Sequence, residues 1–241
     1  MTQPQPREEN REISSLATKP AEKPTKRQRR RRRNSIEADL EALTLAPQTS
    51  LSVTLSMTTP IRLLVCSIGN PAPYTNTLHS AGHTVLQSLA HALSYPSFQR
   101  SRNYGSGLVS QGEEYTLWQS SSLMNVSGTG VAAAWKQFLA DNRGSEGRLV
   151  VVHDELELKL GEVRAKSGSL SPKGHNGLKS IKERLGGVEY TRIGVGIGRP
   201  ESRDPDTVAD YVLRKMSQQE RTKVEGAAGR VAMELQRLVG S

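Results

Sequence analysis

From Ile61 to Ile68 the chain is almost uninterruptedly apolar and then meets Gly69-Asn70-Pro71, the pattern of a strand buried on both faces and stopped by a turn. Over Leu78–Leu93 the period becomes helical, with Val85, Leu86, Leu89 and Leu93 on one face. Strand, loop and helix in that order open an α/β unit. Two shorter strands are predicted at about Tyr104–Val109 and Tyr115–Gln119, with Ser110-Gln111-Gly112 turning a hairpin between them. A helix follows from about Val126 to Leu139. The β-branched run in Arg148–His153 then predicts a second fully buried strand, which delivers Asp154 at its carboxyl end. Gly161–Lys166 predicts a strand, Leu178–Leu185 a helix closed by Gly186-Gly187, and Thr191–Ile197 a strand running into Gly198-Arg199-Pro200. Ser217–Leu238 predicts a last helix, with Ser217 and Glu220 at capping-box spacing. The expected fold class is α/β: one domain over residues 61–241, a twisted, mostly parallel mixed sheet flanked by helices on both faces.

The preceding residues 1–60 have a different pattern. They are rich in Gln, Glu, Lys, Arg, Thr and Pro and include the run Arg29–Arg33. Such a segment buries too little apolar surface to offset its ordering entropy, so a disordered basic extension is expected, with one short helix near Ser35–Leu43. Glu8, Glu9, Glu12 and Glu22 argue against a mitochondrial presequence, and no apolar core suggests a secretory signal. The Arg run is compatible with nuclear import or loose RNA binding; a solvated tail is the simpler reading.

The formal net charge is +9, which favours a polyanionic partner. A single cysteine, Cys66, excludes an internal disulfide framework. No apolar run approaches the roughly 20 residues of a membrane helix. A cytoplasmic or mitochondrial monomer that does not engage membranes is the expectation.

In open α/β sheets, ligands gather beyond the carboxyl ends of strands. Asn70 and Asp154 both stand at such ends, and the loop after the first strand also carries His79. A neutral imidazole can take a proton from water, and a carboxylate on its other nitrogen fixes the tautomer. No nucleophile elbow is present and Cys66 lies within an apolar strand, so attack by water is favoured over a covalent intermediate. Simpler readings stand beside this one: Asn70 and Asn176-Gly177 as turn residues, Tyr74 as packing, Asp154 as a loop cap, Glu155 and Glu157 as solvated charges. His79 and His83 have the spacing of a helical metal pair, but Ser80 stands where a zinc protease needs Glu and no third ligand is evident. Gly194, Gly196 and Gly198 do not match the dinucleotide fingerprint. Neither a metal nor a cofactor is expected.

Five blocks then stand in a distinctive order: Gly69-Asn70-Pro71; Tyr74 with Thr77–Gly82; Leu123–Gly128; Val152–Leu156; and Gly174–Ile181. In this order they resemble the motifs of bacterial-type peptidyl-tRNA hydrolases. The resemblance implies an esterase that releases peptide from peptidyl-tRNA, with His79 as proton acceptor and Asp154 holding it in its basic form. It implies that Asn70 sits beside the scissile ester and helps to distinguish a blocked from a free amino group. It places Tyr74, Leu123, Asn125 and Asn176 on the peptidyl and terminal-nucleotide part of the substrate, Lys166 on a tRNA phosphate, and no metal in the reaction.

Several positions depart from that pattern. Leu78 replaces a basic residue, Ser80 an asparagine, and Leu123 a common aromatic; the loop from Asn70 to His79 is one residue short. Ser167–Lys173 carries Leu170, Ser171 and Pro172 in place of a glycine-rich lid, so a stiffer loop is expected. The partner of Lys166 in the phosphate clamp is Gly194, with Lys173, Lys179 or Arg199 as candidates to compensate. A non-catalytic RNA-binding protein on the same fold, of the intron-splicing-factor type, is the alternative.

Overall fold

A computed structural model describes residues 59–240. Apart from Thr59 and Pro60, the extension expected over residues 1–60, with its Arg run and Ser35–Leu43 segment, lies outside the described residues. The first apolar run forms β1 (Ile61–Ser67), and its alternate side chains enter two different cores: Leu63 and Val65 on one face, Leu64 and Cys66 on the other. This two-sided burial accounts for the lack of polar alternation along the run. Beside it lie β2 (Gln99–Arg100), β3 (Leu108–Gln111), β4 (Tyr115–Gln119), β5 (Glu146–Glu155), β6 (Val163–Ser167) and β7 (Thr191–Gly196). They form one seven-stranded sheet in the order β2-β3-β4-β1-β5-β7-β6. The central strands β4, β1, β5 and β7 run parallel, and the edges are antiparallel.

Helices cover both faces. On one side α1 (Ala81–Ala92), α5 (Gln218–Glu225) and α6 (Ala228–Val239) supply Val85, Leu86, Leu89, Val224, Val231 and Leu235 to the core. On the other, α2 (Ser127–Asp141) and α3 (Asn176–Leu185) supply Val131, Phe138, Leu178 and Ile181. A short α4 (Pro205–Leu213) lies between β7 and α5. Gly128 permits close contact between α2 and α3: a Cβ there would stand 2.1 Å from the Ser180 carbonyl oxygen. Gly186, with φ of 58°, ends α3 in the left-handed conformation that glycine adopts without steric cost.

Several local expectations are corrected. Tyr104 is not in a strand; it is buried in a turn, where its carbonyl accepts the Trp118 indole N–H at 2.8 Å and the Gly107 N–H at 3.2 Å, so the ladder begins only at Leu108. The predicted helix over 217–238 is two helices meeting at Gly226 and Ala227. The capping box at Ser217 and Glu220 is present, but the weak helix former Gly226 allows a change of direction that leaves both α5 and α6 packed on α1. The helix α4 was not anticipated, although the Asp204 side chain accepts the Thr207 N–H and Pro205 occupies its first turn. Only Val212 of α4 is buried, so the segment has no clear core stripe. Asn176-Gly177 is not a free turn but the first turn of α3.

One buried group couples the fold to pH. His83 donates to or accepts from the Ser67 hydroxyl at 2.7 Å, and its Nε2 has no hydrogen-bond partner. Burial pushes its pKa down to about 4. An unfolded chain would protonate this ring near 6.5. Its contribution to stability is therefore complete above about pH 6.5 and falls as the pH drops toward 4, by roughly 3 kcal/mol in the limit. Denaturant midpoints are expected to decline over that window, and His83→Asn to flatten the decline. Gly128→Ala should lower stability by about 1–3 kcal/mol through overpacking. The exposed Gly229, where an added Cβ meets nothing within 4 Å, should tolerate Ala or gain slightly, as urea unfolding of both variants will measure.

Candidate active site

Strand alternation aims two consecutive residues of β5 at different helices. Val150 and Val152 face the α1 side and Leu149 and Val151 the α2–α3 side. By the same period Asp154 turns toward the segment before α1, and His153 toward α3. Asp154 is only 3% exposed. Its carboxylate accepts from His79 Nδ1, which lies 3.0 Å from both Oδ1 and Oδ2, and Oδ1 also accepts from His175 Nε2 at 3.0 Å. His79 sits in the 3-10 turn Leu78–Ser80, which precedes α1, and His175 is the N-cap of α3. The expected pair is present, and the fold adds a second imidazole that the sequence reading did not assign.

The tautomers follow from the partners. A carboxylate only accepts, so His79 carries its proton on Nδ1 and, when neutral, presents the Nε2 lone pair. His175 Nδ1 accepts the Leu178 N–H, which puts the His175 proton on Nε2, facing Asp154. Burial of the His79 ring opposes its charge, but the Asp154 charge and hydrogen bond outweigh this and raise its pKa above the ordinary value. Burial likewise works against the Asp154 anion, yet His79 and His175 hold its carboxyl well below the usual carboxylate range. His153 is pushed down to about 3, first by burial and then by His175, whose ring it meets edge-on at 5.2 Å; its Nδ1 donates to the Asp154 carbonyl at 2.6 Å.

The loop from β1 to α1 is held from within by Ser80. Ser80 Oγ accepts the Asn70 N–H at 3.0 Å and donates to the Tyr74 carbonyl at 2.9 Å. This buried hydroxyl ties Asn70 and Tyr74 to the residue that follows His79. Asn70 is no mere turn residue: its side-chain Oδ1 accepts the Met124 N–H at 2.9 Å and so joins β1 to the Leu123–Val126 segment. Asn70, Tyr74, His79, Leu123, Asn125, Asp154 and Asn176 all line one cavity of about 690 Å³. Tyr74 and Leu123 are exposed on its rim.

Other expectations are placed differently. Lys166 does not line the cavity; its Nζ donates to Glu155 Oε2 at 3.0 Å. Glu155 is therefore ion-paired rather than solvated, and Glu157 holds Arg199 at 2.7 Å. Gly194 lies beside Glu155, whose Cβ would be 2.9 Å from an added Cβ, so a longer side chain there has no room without displacement. Arg192, 4% exposed, donates to the Ser171 carbonyl at 2.9 Å and ties the altered loop to β7. Its burial was not legible in the sequence, where an arginine in a strand suggests a surface.

A metal pair of His79 and His83 does not form, since His83 turns to Ser67. The fold instead supplies the third group that the sequence did not reveal: His79, Asp154 and His175 each offer a ligand atom within 4.8 Å of the others. The hydrogen bonds favour protons over a cation here. A neutral His175 bound to metal through Nε2 would carry its proton on Nδ1, where it now accepts the Leu178 N–H.

This arrangement can be set beside known proteins. A family model described as peptidyl-tRNA hydrolase matches residues 64–241. A peptidyl-tRNA hydrolase of Rhodococcus opacus is 39% identical over 167 residues, 67% of this chain and 83% of the relative. One from Frankia casuarinae is 41% identical over 177 residues, 70% of this chain and 86% of its own. A probable peptidyl-tRNA hydrolase of Schizosaccharomyces pombe is 36% identical, covering 67% of this chain and 75% of the relative. Among solved structures, the peptidyl-tRNA hydrolase of Acinetobacter baumannii superposes with a TM-score of 0.62 at 28% identity, covering 74% of this chain and 89% of that one. With motif order, sheet and family match in agreement, the chain belongs to the peptidyl-tRNA hydrolase family.

Proposed function

We infer that this protein hydrolyses the ester joining peptide to tRNA in peptidyl-tRNA and so returns free tRNA, with His79 as general base and Asp154 as its orienting carboxylate. The observation that carries this reading is the 3.0 Å contact of His79 Nδ1 with Asp154 inside a cavity that also holds three asparagines. His79 Nε2 removes a proton from water as the water oxygen attacks the ester carbonyl. The imidazolium, stabilised by the Asp154 charge, then gives that proton to the departing ribose oxygen. Asparagine amides offer both donors and an acceptor; Asn70 would meet the developing oxyanion or the blocked amino group of the peptide, and Asn125 and Asn176 its backbone and the terminal nucleotide. Tyr74 and Leu123 give the rim an apolar surface for side chains or a base.

All of these groups come from one chain, so a monomer suffices. Since the substrate arises in translation, the cytoplasm or the mitochondrion is the proposed place of action. Among the described residues no helix is long and apolar enough to cross a membrane. The tRNA phosphates would meet the basic groups on the cavity rim, among them Lys173 and Arg203. Lys166 would join them only by exchanging Glu155 for phosphate, a contact weaker than that of a free lysine.

His79→Ala should lower turnover of a blocked aminoacyl-tRNA by about 10²–10⁴-fold with binding largely retained. Unchanged hydrolysis would remove His79 from the reaction, whereas tRNA binding without peptide release in the parent protein would favour the RNA-binding alternative. Because His79 must be neutral to act and its pKa is raised, kcat/KM should fall as the pH drops through a value above 6.5. Binding of tRNA to the His79→Ala protein should weaken steeply between 50 and 200 mM salt, and Lys173→Ala with Arg203→Ala should make the dependence shallower, as filter binding will report.

A further inference from the structure

His175 belongs to no role assigned above, yet four separate contacts constrain its ring. Its Nδ1 caps α3 by accepting the Leu178 N–H; the ring lies edge-on against His153 at 5.2 Å and tilted over His79 at 5.3 Å; and its Nε2 reaches Asp154 Oδ1 at 3.0 Å. The cap matters because it decides the tautomer. With Nδ1 occupied as an acceptor, the proton stands on Nε2 and can only be given to the carboxylate. His79 Nδ1 lies 3.0 Å from both oxygens of Asp154, and one of them, Oδ1, is thus shared with a second donor.

Resting on the assignment of His79 as base, we propose that His175 is a positioning residue: its Nε2–H holds the Asp154 carboxylate and divides that group's charge between two imidazoles, thereby setting how strongly Asp154 favours the protonated form of His79. The physical reasoning is electrostatic. A carboxylate that serves one donor stabilises an adjacent imidazolium fully, and one that serves two does so less. A base bound too strongly to its proton is idle at neutral pH, so a shared carboxylate keeps a larger fraction of His79 available. Restraint of the carboxylate by the end of a helix also fixes the plane in which His79 must lie, which an aspartate with a single partner would leave to rotate.

Other charges reach the same cavity: Glu155, Glu157, Lys173, Arg192, Arg199 and Arg203 line it. The part of α4 that lines it contributes Pro205, Val208, Ala209, Val212 and Leu213, none of them titratable. These groups remain when residue 175 is changed and form a constant background.

Two variants separate the donor from the helix cap. His175→Asn retains an N-cap oxygen for the Leu178 N–H but is too short to reach Asp154; His175→Gln can place an amide N–H near the position of the imidazole Nε2. The readouts are the pH profile of kcat/KM on a blocked aminoacyl-tRNA and the NMR titration of the His79 ring in each protein. His175→Asn is expected to move both midpoints upward by about half to one pH unit, so that the loss of rate is largest below neutrality and shrinks as the pH rises. His175→Gln is expected to bring the midpoints part of the way back. A uniform fall in rate at every pH with an unmoved His79 titration would overturn the proposal and leave His175 as a helix cap alone. Equal midpoints in all three proteins would overturn it as well. Failure of the underlying assignment looks different, because the parent protein would then show no acid limb tied to the His79 titration.

Discussion

A buried carboxylate held between two imidazoles governs the organisation of the candidate site. Asp154 is almost wholly removed from water, and an unpaired charge so placed would cost several kcal/mol. The cost is offset only if His79 and His175 stay where they are, one at the start of α1 and the other at the start of α3. Each of these helices packs on a different face of the sheet. The carboxylate therefore requires the sheet, both helical layers and the loops that enter them to be in register. It also explains how one anion can sit at the end of a central strand without destabilising the apolar cores that flank it.

The parallel centre of the sheet makes this meeting possible. In β4, β1, β5 and β7 the carboxyl ends lie on one edge, so the loops after β1 and β4 and the end of β5 open onto a common cleft. Local hydrogen bonds then fix the loops on this edge. Ser80 performs by a single hydroxyl the task of tying Asn70 to Tyr74, and Arg192 holds the Ser171 carbonyl of a loop that contains Pro172. Gly194 leaves space for Glu155, which has taken Lys166 as its partner.

Periodicity made the long elements legible. A strand buried on both faces, such as β1 or β5, and a helix with a full apolar stripe, such as α1, declare themselves because their neighbours in sequence all answer to the same environment. Elements failed to show where that condition was absent. The helix α4 buries little but Val212, Tyr104 spends its carbonyl on a side chain rather than a ladder, and a break at Gly226 divides a stripe that looks continuous. In the site, strand ends and motif order both pointed to Asn70, His79 and Asp154, and motif order alone to Asn125 and Asn176, whereas His175 lay inside a motif without an evident task.

Taken alone, the sequence determined the class of fold, the family and seven of the residues that line the cleft, because hydrophobic period and motif order are local and survive without coordinates. Only the tertiary structure showed that Asp154, expected to pair with His79, also takes a hydrogen bond from His175. His79 and Asp154 are 75 residues apart and His175 stands 21 beyond Asp154, and no local pattern specifies a contact over such separations. Whether a histidine is a base, a cap or a buried neutral ring depends on which atom faces which partner, and that is settled by packing.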